Sequence, residues 1–241
     1  MKIAVMQPYL FPYTGYFQLI SAVDKFIIYD DVHFINKGWI NRNNILVNNE
    51  KHLFTLPLKK SGQNKLIKDI EIHDPVEWKI KFLKTIETSY KHSEFFKETF
   101  ELVSKIMDSD DNYISGFNLY CMKIFTDYLD IKTEIVRSSG LYNNSGLKSQ
   151  DRILDICYKE NASEYFNLPG GADLYSHETF SSKGIDLKFL IPDNFTYRQF
   201  HDNFTYRQFD DHFTDSLSII DVLMFNSKDS VKEILSKYVL S

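Results

Sequence analysis

Short apolar runs and amphipathic stretches alternate along this chain, and their order predicts its elements. Ile3 to Met6 and Lys25 to Tyr29 have the apolar, β-branched and aromatic make-up of buried strands. Between them Tyr16, Leu19, Ile20 and Val23 fall at helical spacing. Strand, helix and strand in so short a span predict a βαβ unit with parallel strands and a right-handed crossover. His52 to Leu58 and Leu66 to Ile72 read as two further strands, joined as a hairpin through the turn-rich Lys59 to Lys65. Val76 to Tyr90, Glu94 to Met107 and Tyr113 to Leu129 carry apolar residues three and four apart, with charges between them, and predict three helices. Asp74-Pro75 and Ser93-Glu94 supply helix starts.

The second half returns to the strand–helix alternation. Thr133 to Val136 reads as a strand, Arg137 to Gly146 as a loop, and Ile153, Leu154, Ile156 and Cys157 as the apolar face of a helix. Ala162 to Phe166 is a strand that ends in Asn167-Leu168-Pro169-Gly170-Gly171-Ala172, and Ile185 to Leu190 is a last strand. Leu217 to Phe225 and Val231 to Leu240 read as closing helices. The pattern predicts an α/β fold: one domain over residues 1–241, with a Rossmann-like, mainly parallel sheet and a helical insertion from about Val76 to Asp130. One segment lies outside this rhythm. Asp193 to Phe200 recurs without change as Asp202 to Phe209. The nine-residue period is odd, so both copies cannot keep one face of a continuous strand; one is expected to work and the other to bulge.

Composition narrows the class. The chain has 241 residues, enough for one sizeable core, and its 43% hydrophobic and 25% charged residues are those of a globular protein. A net charge of −5 with no basic run argues against a nucleic-acid partner. No apolar stretch is long enough to span a membrane, and Lys2 before a short run broken by Gln7-Pro8 does not make a secretory signal. Cys121 and Cys157, far apart in helical patterns, read as buried reduced thiols, so a cytoplasmic location is expected.

Candidate chemistry gathers where strands end. The first strand runs into Gln7-Pro8-Tyr9-Leu10-Phe11-Pro12-Tyr13-Thr14-Gly15-Tyr16, richer in polar-tipped rings than a simple connection needs. In open α/β sheets ligands bind at the carboxyl ends of strands, so Gln7, Tyr9, Tyr13 and Tyr16 are candidates. The second strand delivers Asp30, Asp31 and His33 to the same edge. Asp30 and Asp31 suit Mg²⁺, while Asp31 or His33 suits a general base. Trp39, Asn41, Arg42 and Asn43 form a polar loop able to stack a ring or clamp a phosphate. Gly170 and Gly171 permit a tight turn and a close ligand approach, with Tyr175 nearby. His73, His92, His177, His201 and His212 show no metal-ligand spacing.

These residues carry a resemblance. Gln7-Pro8-Tyr9, Phe11-Pro12, Gly15-Tyr16, Asp30-Asp31-Val32, Trp39 with Asn41-Arg42-Asn43, Pro57, Tyr90, Lys148-Ser149 with Arg152, Gly170-Gly171 with Tyr175, one Tyr-x-Gln copy, and Leu217 to Asp221 resemble the WbqC-like family. Two departures stand out: His33 where Gln is usual, and a doubled Tyr-x-Gln. The resemblance implies a place in O-antigen or other surface-polysaccharide synthesis. It also implies a nucleotide-linked amino sugar as substrate and a small acyl or amino-acid donor.

Three chemistries follow. The first is an ATP-dependent ligase that forms an amide on the sugar amine. Tyr13-Thr14-Gly15-Tyr16 is similar in layout to the His-x-Gly-His turn of HIGH-type nucleotidyltransferases, with both His replaced. In that reading Gln7, Tyr13, Gly15, Lys148 and Arg152 hold ATP, Tyr16 acts at the reacting centre, and Asp30 and Asp31 hold Mg²⁺. The second is acyl or glycosyl transfer from an already activated donor. The third is a non-catalytic sugar-nucleotide-binding subunit. A homodimer is left open.

Overall fold

A computed structural model describes residues 1–60, 62, 64–192, 206–209 and 213–241. Its centre is a six-stranded sheet. Five strands run parallel: β1 (Lys2–Met6), β2 (Lys25–Ile28), β5 (Glu134–Val136), β6 (Glu164–Asn167) and β7 (Asp186–Pro192). The sixth, β8 (Tyr238–Leu240), lies antiparallel to β7. Numbered by their occurrence within the sheet, the strands lie in the order 3-2-1-4-5-6, the doubly wound Rossmann arrangement. The expected Rossmann-like α/β class is therefore the observed one.

Alternation along the strands divides the core between two faces. Ile3, Val5, Ile27, Tyr165, Leu187 and Phe189 face one side, where α5 (Ser149–Lys159) and α6 (His177–Ser182) contribute Ile153, Ile156, Cys157 and Phe180. Ala4, Phe26, Ile28, Phe166 and Leu190 face the other. That side is covered by α1 (Thr14–Ala22) and α8 (Lys228–Ser236) and continues into the excursion between β2 and β5. The excursion comprises a hairpin of β3 (Arg42–Val47) and β4 (Glu50–Thr55) and the helices α2 (Pro75–Tyr90), α3 (Phe96–Met107) and α4 (Ile114–Tyr128). These, with α7 (Ile219–Phe225), build the larger core. Cys121 and Cys157 are buried free thiols, as the pattern predicts.

Two elements differ from the sequence reading. The partner of the expected strand at His52 is Arg42–Val47, not Leu66 to Ile72. Asn48 and Asn49 have φ of +53° and +62°, the left-handed pair that closes a two-residue hairpin turn. Residues 66–72 instead hold a 3₁₀ turn, Ile67–Asp69, between isolated bridges. At the other end the expected helix over Val231 to Leu240 stops at Ser236. Tyr238–Leu240 is extended because β7 offers an edge, on which Leu240 and Tyr238 pair with Leu190 and Pro192.

Among the described residues no helix is long and apolar enough to cross a membrane.

Candidate functional site

A cleft of about 790 Å³ opens at the carboxyl ends of β1, β6 and β7. It lies at the point where strand order reverses, between β1 and β6. Its walls come from β1 (Val5, Met6), the loop after it (Gln7, Tyr9, Tyr13) and the first turn of α1 (Gly15), from Tyr29, and from the hairpin and the loop before it (Ile35, Trp39, Asn43, Asn44, Lys51). The loop after β6 (Asn167 to Gly171, Leu174, Tyr175), Pro192 and Ser216 complete them.

The loop after β1 is held at nearly every carbonyl. Tyr16 Oη donates to Gln7 O at 2.8 Å, and Asn118 Nδ2 donates to Pro8 O at 2.9 Å and to Ile40 O at 2.8 Å. Asn43 Nδ2 donates to Leu10 O at 3.1 Å and Phe11 O at 2.8 Å, and Ser218 Oγ reaches Phe11 O at 2.9 Å. Phe11 has φ of +44°, a costly conformation for an aromatic residue. Its ring lies among Phe54, Phe82, Phe117 and Phe125, which fix it there. The result is a rigid rim, positioned before any ligand arrives.

On the far wall Asn167 accepts from Leu168 N at 2.7 Å, and a Cβ at Gly171 would stand 2.8 Å from its Nδ2. Gly171 therefore lets the Asn167 amide fold back against the turn. Gly15 plays the same part for Tyr13, whose ring edge lies 2.9 Å from where a Cβ would be.

Of the candidates named from sequence, Gln7, Tyr9, Tyr13, Gly15, Trp39, Asn43, Gly170, Gly171 and Tyr175 meet in this cleft. Tyr16 lies beneath it, fully buried, with its hydroxyl committed to Gln7 O; burial, aided by nearby Tyr9 and Tyr13, keeps its pKa far above the usual phenol value. The acidic pair and Arg152 stand behind the wall. Arg152 Nη2 bonds both carboxylate oxygens of Asp31 at 2.5 Å, and Ser139 adds a third bond. Asp30 accepts from Ser138 at 2.5 Å and Ser115 at 2.7 Å. Burial raises the Asp30 pKa; the two serine bonds oppose that shift and the Asp31 charge adds to it.

A metal needs carboxylate oxygens open to it, so the occupied acidic pair does not fit the expected Mg²⁺ site. Among the described residues no group of three His, Cys, Asp or Glu is placed to hold a metal ion. Arg152 also stacks on the Tyr29 ring at 4.9 Å. The pair thus braces one wall residue from behind.

The other candidates lie elsewhere. His33 is exposed and bridges to Leu66, and Lys148 is exposed just before α5. Asn41 donates to Leu56 O at 2.9 Å. Arg42 donates to Gly38 O at 3.0 Å and to Lys37 O, and lies 5.7 Å over the Trp39 ring, which stabilises its own loop. Of the doubled motif, Tyr206 and Gln208 both donate to Asp221; the earlier copy, with Tyr197, lies outside the described residues.

Sequence reasoning missed Tyr29, Ile35, Asn44, Lys51, Asn167, Leu174, Pro192 and Ser216. Asn167 had a signal, since it ends a strand just before Pro169-Gly170-Gly171. Tyr29 had one too, immediately before the acidic pair. Lys51 had none.

Rings and amides dominate the walls. Tyrosines apart, Lys51 is the one ionisable group among the described lining residues. Such a surface stacks flat rings and hydrogen-bonds polar edges. Burial raises the pKa of Tyr9, Tyr29 and Tyr175, so these hydroxyls remain protonated donors.

Fold and cleft together define a doubly wound α/β protein with a cleft at the strand-order switch point. The model of the WbqC-like protein family matches residues 7–233, so nearly the whole cleft falls within the match. The chain belongs to the WbqC-like family. It is also similar to a Mycobacterium tuberculosis protein described as "Uncharacterized protein Rv1507c", with 27% identity over 201 residues, 82% of this chain and 86% of that one. No solved structure gives a significant match.

Proposed function

We propose that this protein modifies a nucleotide-linked amino sugar in surface-polysaccharide synthesis, adding an acyl or aminoacyl group to the sugar amine. The observation that carries this reading is the cleft itself. It sits where doubly wound sheets bind nucleotides, is large enough for one, and offers Tyr9, Tyr13, Tyr29, Tyr175 and Trp39 for stacking with Gln7, Asn44 and Asn167 for polar edges. Membership of the WbqC-like family supports a place in surface-polysaccharide synthesis, and the amino-sugar substrate is part of the proposal. Amide formation joins the sugar nitrogen to the donor carbonyl carbon as the bond from that carbon to the leaving group breaks, and the proton lost from the nitrogen goes to the departing group or to water.

The cleft wall favours transfer from an activated donor over adenylylation within the same site. It presents no carboxylate or imidazole among the described residues, and an amine attacking an activated carbonyl demands less of its surroundings than phosphoryl chemistry does. ATP and Mg²⁺ remain the cofactors of the ligase reading, with Gly15 at the first turn of α1 as its contact.

Ligand-induced thermal stabilisation tests this directly, because a ligand that binds only the folded state must raise its melting temperature. Nucleotide-linked 4-amino sugars are expected to stabilise the protein without ATP. An acyl donor should then consume the amine, as followed by mass spectrometry. Stabilisation that requires ATP-Mg²⁺ would move the assignment to the ligase. Sugar binding with no product under any donor would leave a binding subunit.

A further inference from the structure

The cleft has to accommodate charge as well as rings. A nucleotide brings at least two negative charges, and the chain as a whole carries −5, so its general field does not favour the ligand. Anions brought against a largely aromatic wall need a local cation. Lys51 is the one cation among the described lining residues. It projects from β4 opposite Leu46, whose backbone N–H is bonded to Tyr90 Oη at 2.8 Å. Its base is thereby fixed while its four-carbon stem remains adjustable. The same hairpin places Asn43 and Asn44 on the wall.

At present Lys51 Nζ pairs with Asp215 at 2.9 Å, with side chains 37% and 31% exposed. A pair this open to water is worth about 1 kcal/mol or less, so an incoming anion can take the lysine over at little cost. Asp215 is next to Ser216, itself on the cleft wall. The carboxylate therefore stands where it competes with a ligand for the same ammonium group.

We propose that Lys51 is the phosphate-binding residue of this cleft and that Asp215 is the internal competitor a nucleotide displaces. The inference rests on the reading of the cleft as a nucleotide site and names the group that holds the phosphates. Phosphate is favoured over a donor carboxylate because a lysine binds phosphate as a point charge. A diphosphate also brings more negative charge to that single ammonium group than a donor carboxylate does, and Lys51 is the one cation on the wall among the described residues.

The test compares uridine with UDP and adenosine with ADP, by titration calorimetry without metal, on the full chain. The diphosphate should bind more tightly than its nucleoside, and this preference should fall with added salt. Lys51→Met should reduce the preference by roughly tenfold while leaving nucleoside affinity unchanged, and Lys51→Arg should retain most of it. Asp215→Asn should strengthen diphosphate binding by about threefold, because the competitor has lost its charge. A preference unchanged in Lys51→Met and Asp215→Asn overturns the assignment and leaves the nucleotide reading standing. Weakened binding of N-acetylglycine in Lys51→Met, with the diphosphate preference intact, assigns the lysine to the donor and also overturns it. If none of the four ligands binds the folded wild-type protein, both readings fall together.

Discussion

Arg152 shows how much a residue's surroundings alter its meaning. As sequence it is a cation beside a Lys-Ser pair, suited to phosphate. In the fold its side chain is 4% exposed and joined to Asp31, itself 6% exposed, through two bonds. A buried pair with one member removed leaves a charge without compensation, at a cost of about 3 to 5 kcal/mol. Arg152→Met should therefore lower the urea midpoint substantially, and ligand affinity should fall with it as Tyr29 loses its support. Adding Asp31→Leu should recover much of the stability, since an apolar replacement of a whole pair is often neutral. An Arg152→Met protein with wild-type stability and no activity would return this residue to the ATP-holding role the sequence suggests. Nothing in the sequence separates these roles, because Asp31 and Arg152 meet only after the sheet has formed.

At the scale of elements, the segment before α7 is fastened through a buried acid. Asp221 accepts from Tyr90 at 2.7 Å, from Gln208 at 3.0 Å, and from Tyr206. Burial pushes its pKa up to about 6, and the three bonds oppose the shift. The folded pKa thus lies above the unfolded value, so the folded state binds the extra proton. The associated stability is fully present below about pH 4 and is lost as pH rises through about 6. Asp221→Asn should remove this part of the pH dependence. The difference between the wild-type and variant unfolding free energies, followed from pH 4 to 7.5, should change across that window, and a constant difference would refute the assignment. Subtraction also removes the contribution of Asp30, whose burial-raised pKa acts in the same direction.

Legibility varies in the same way between elements. The helices α2 to α4 were plain because each carries its own period. The hairpin was misassigned because its decisive signal is two residues, Asn48-Asn49, while the more obvious turn at Lys59 to Lys65 joins no such pair. Strand β8 was hidden because Tyr238 to Leu240 extends only where β7 offers it an edge.

For the whole molecule, the cleft is a product of topology. Residues far apart in the chain, from Val5 to Ser216, converge because β1 and β6 are neighbours and their connections leave on opposite faces. The rim loop and the double glycine could be read from sequence, since each announces a strand end. Lys51, Asn44 and Ser216 could not, because only the docking of the hairpin and the α7 approach brings them there. The chain has two tryptophans, and the fold sets them in contrasting optical environments. Trp39 is 39% exposed on the cleft wall. Trp78 is stacked on Phe82 at 4.8 Å, with its indole N–H bonded to Thr55 O at 2.9 Å. A ring entering the cleft should quench the first and leave the second as a steady reference. Occupancy can thus be followed by intrinsic emission without a label, with Trp39→Phe as the silent control.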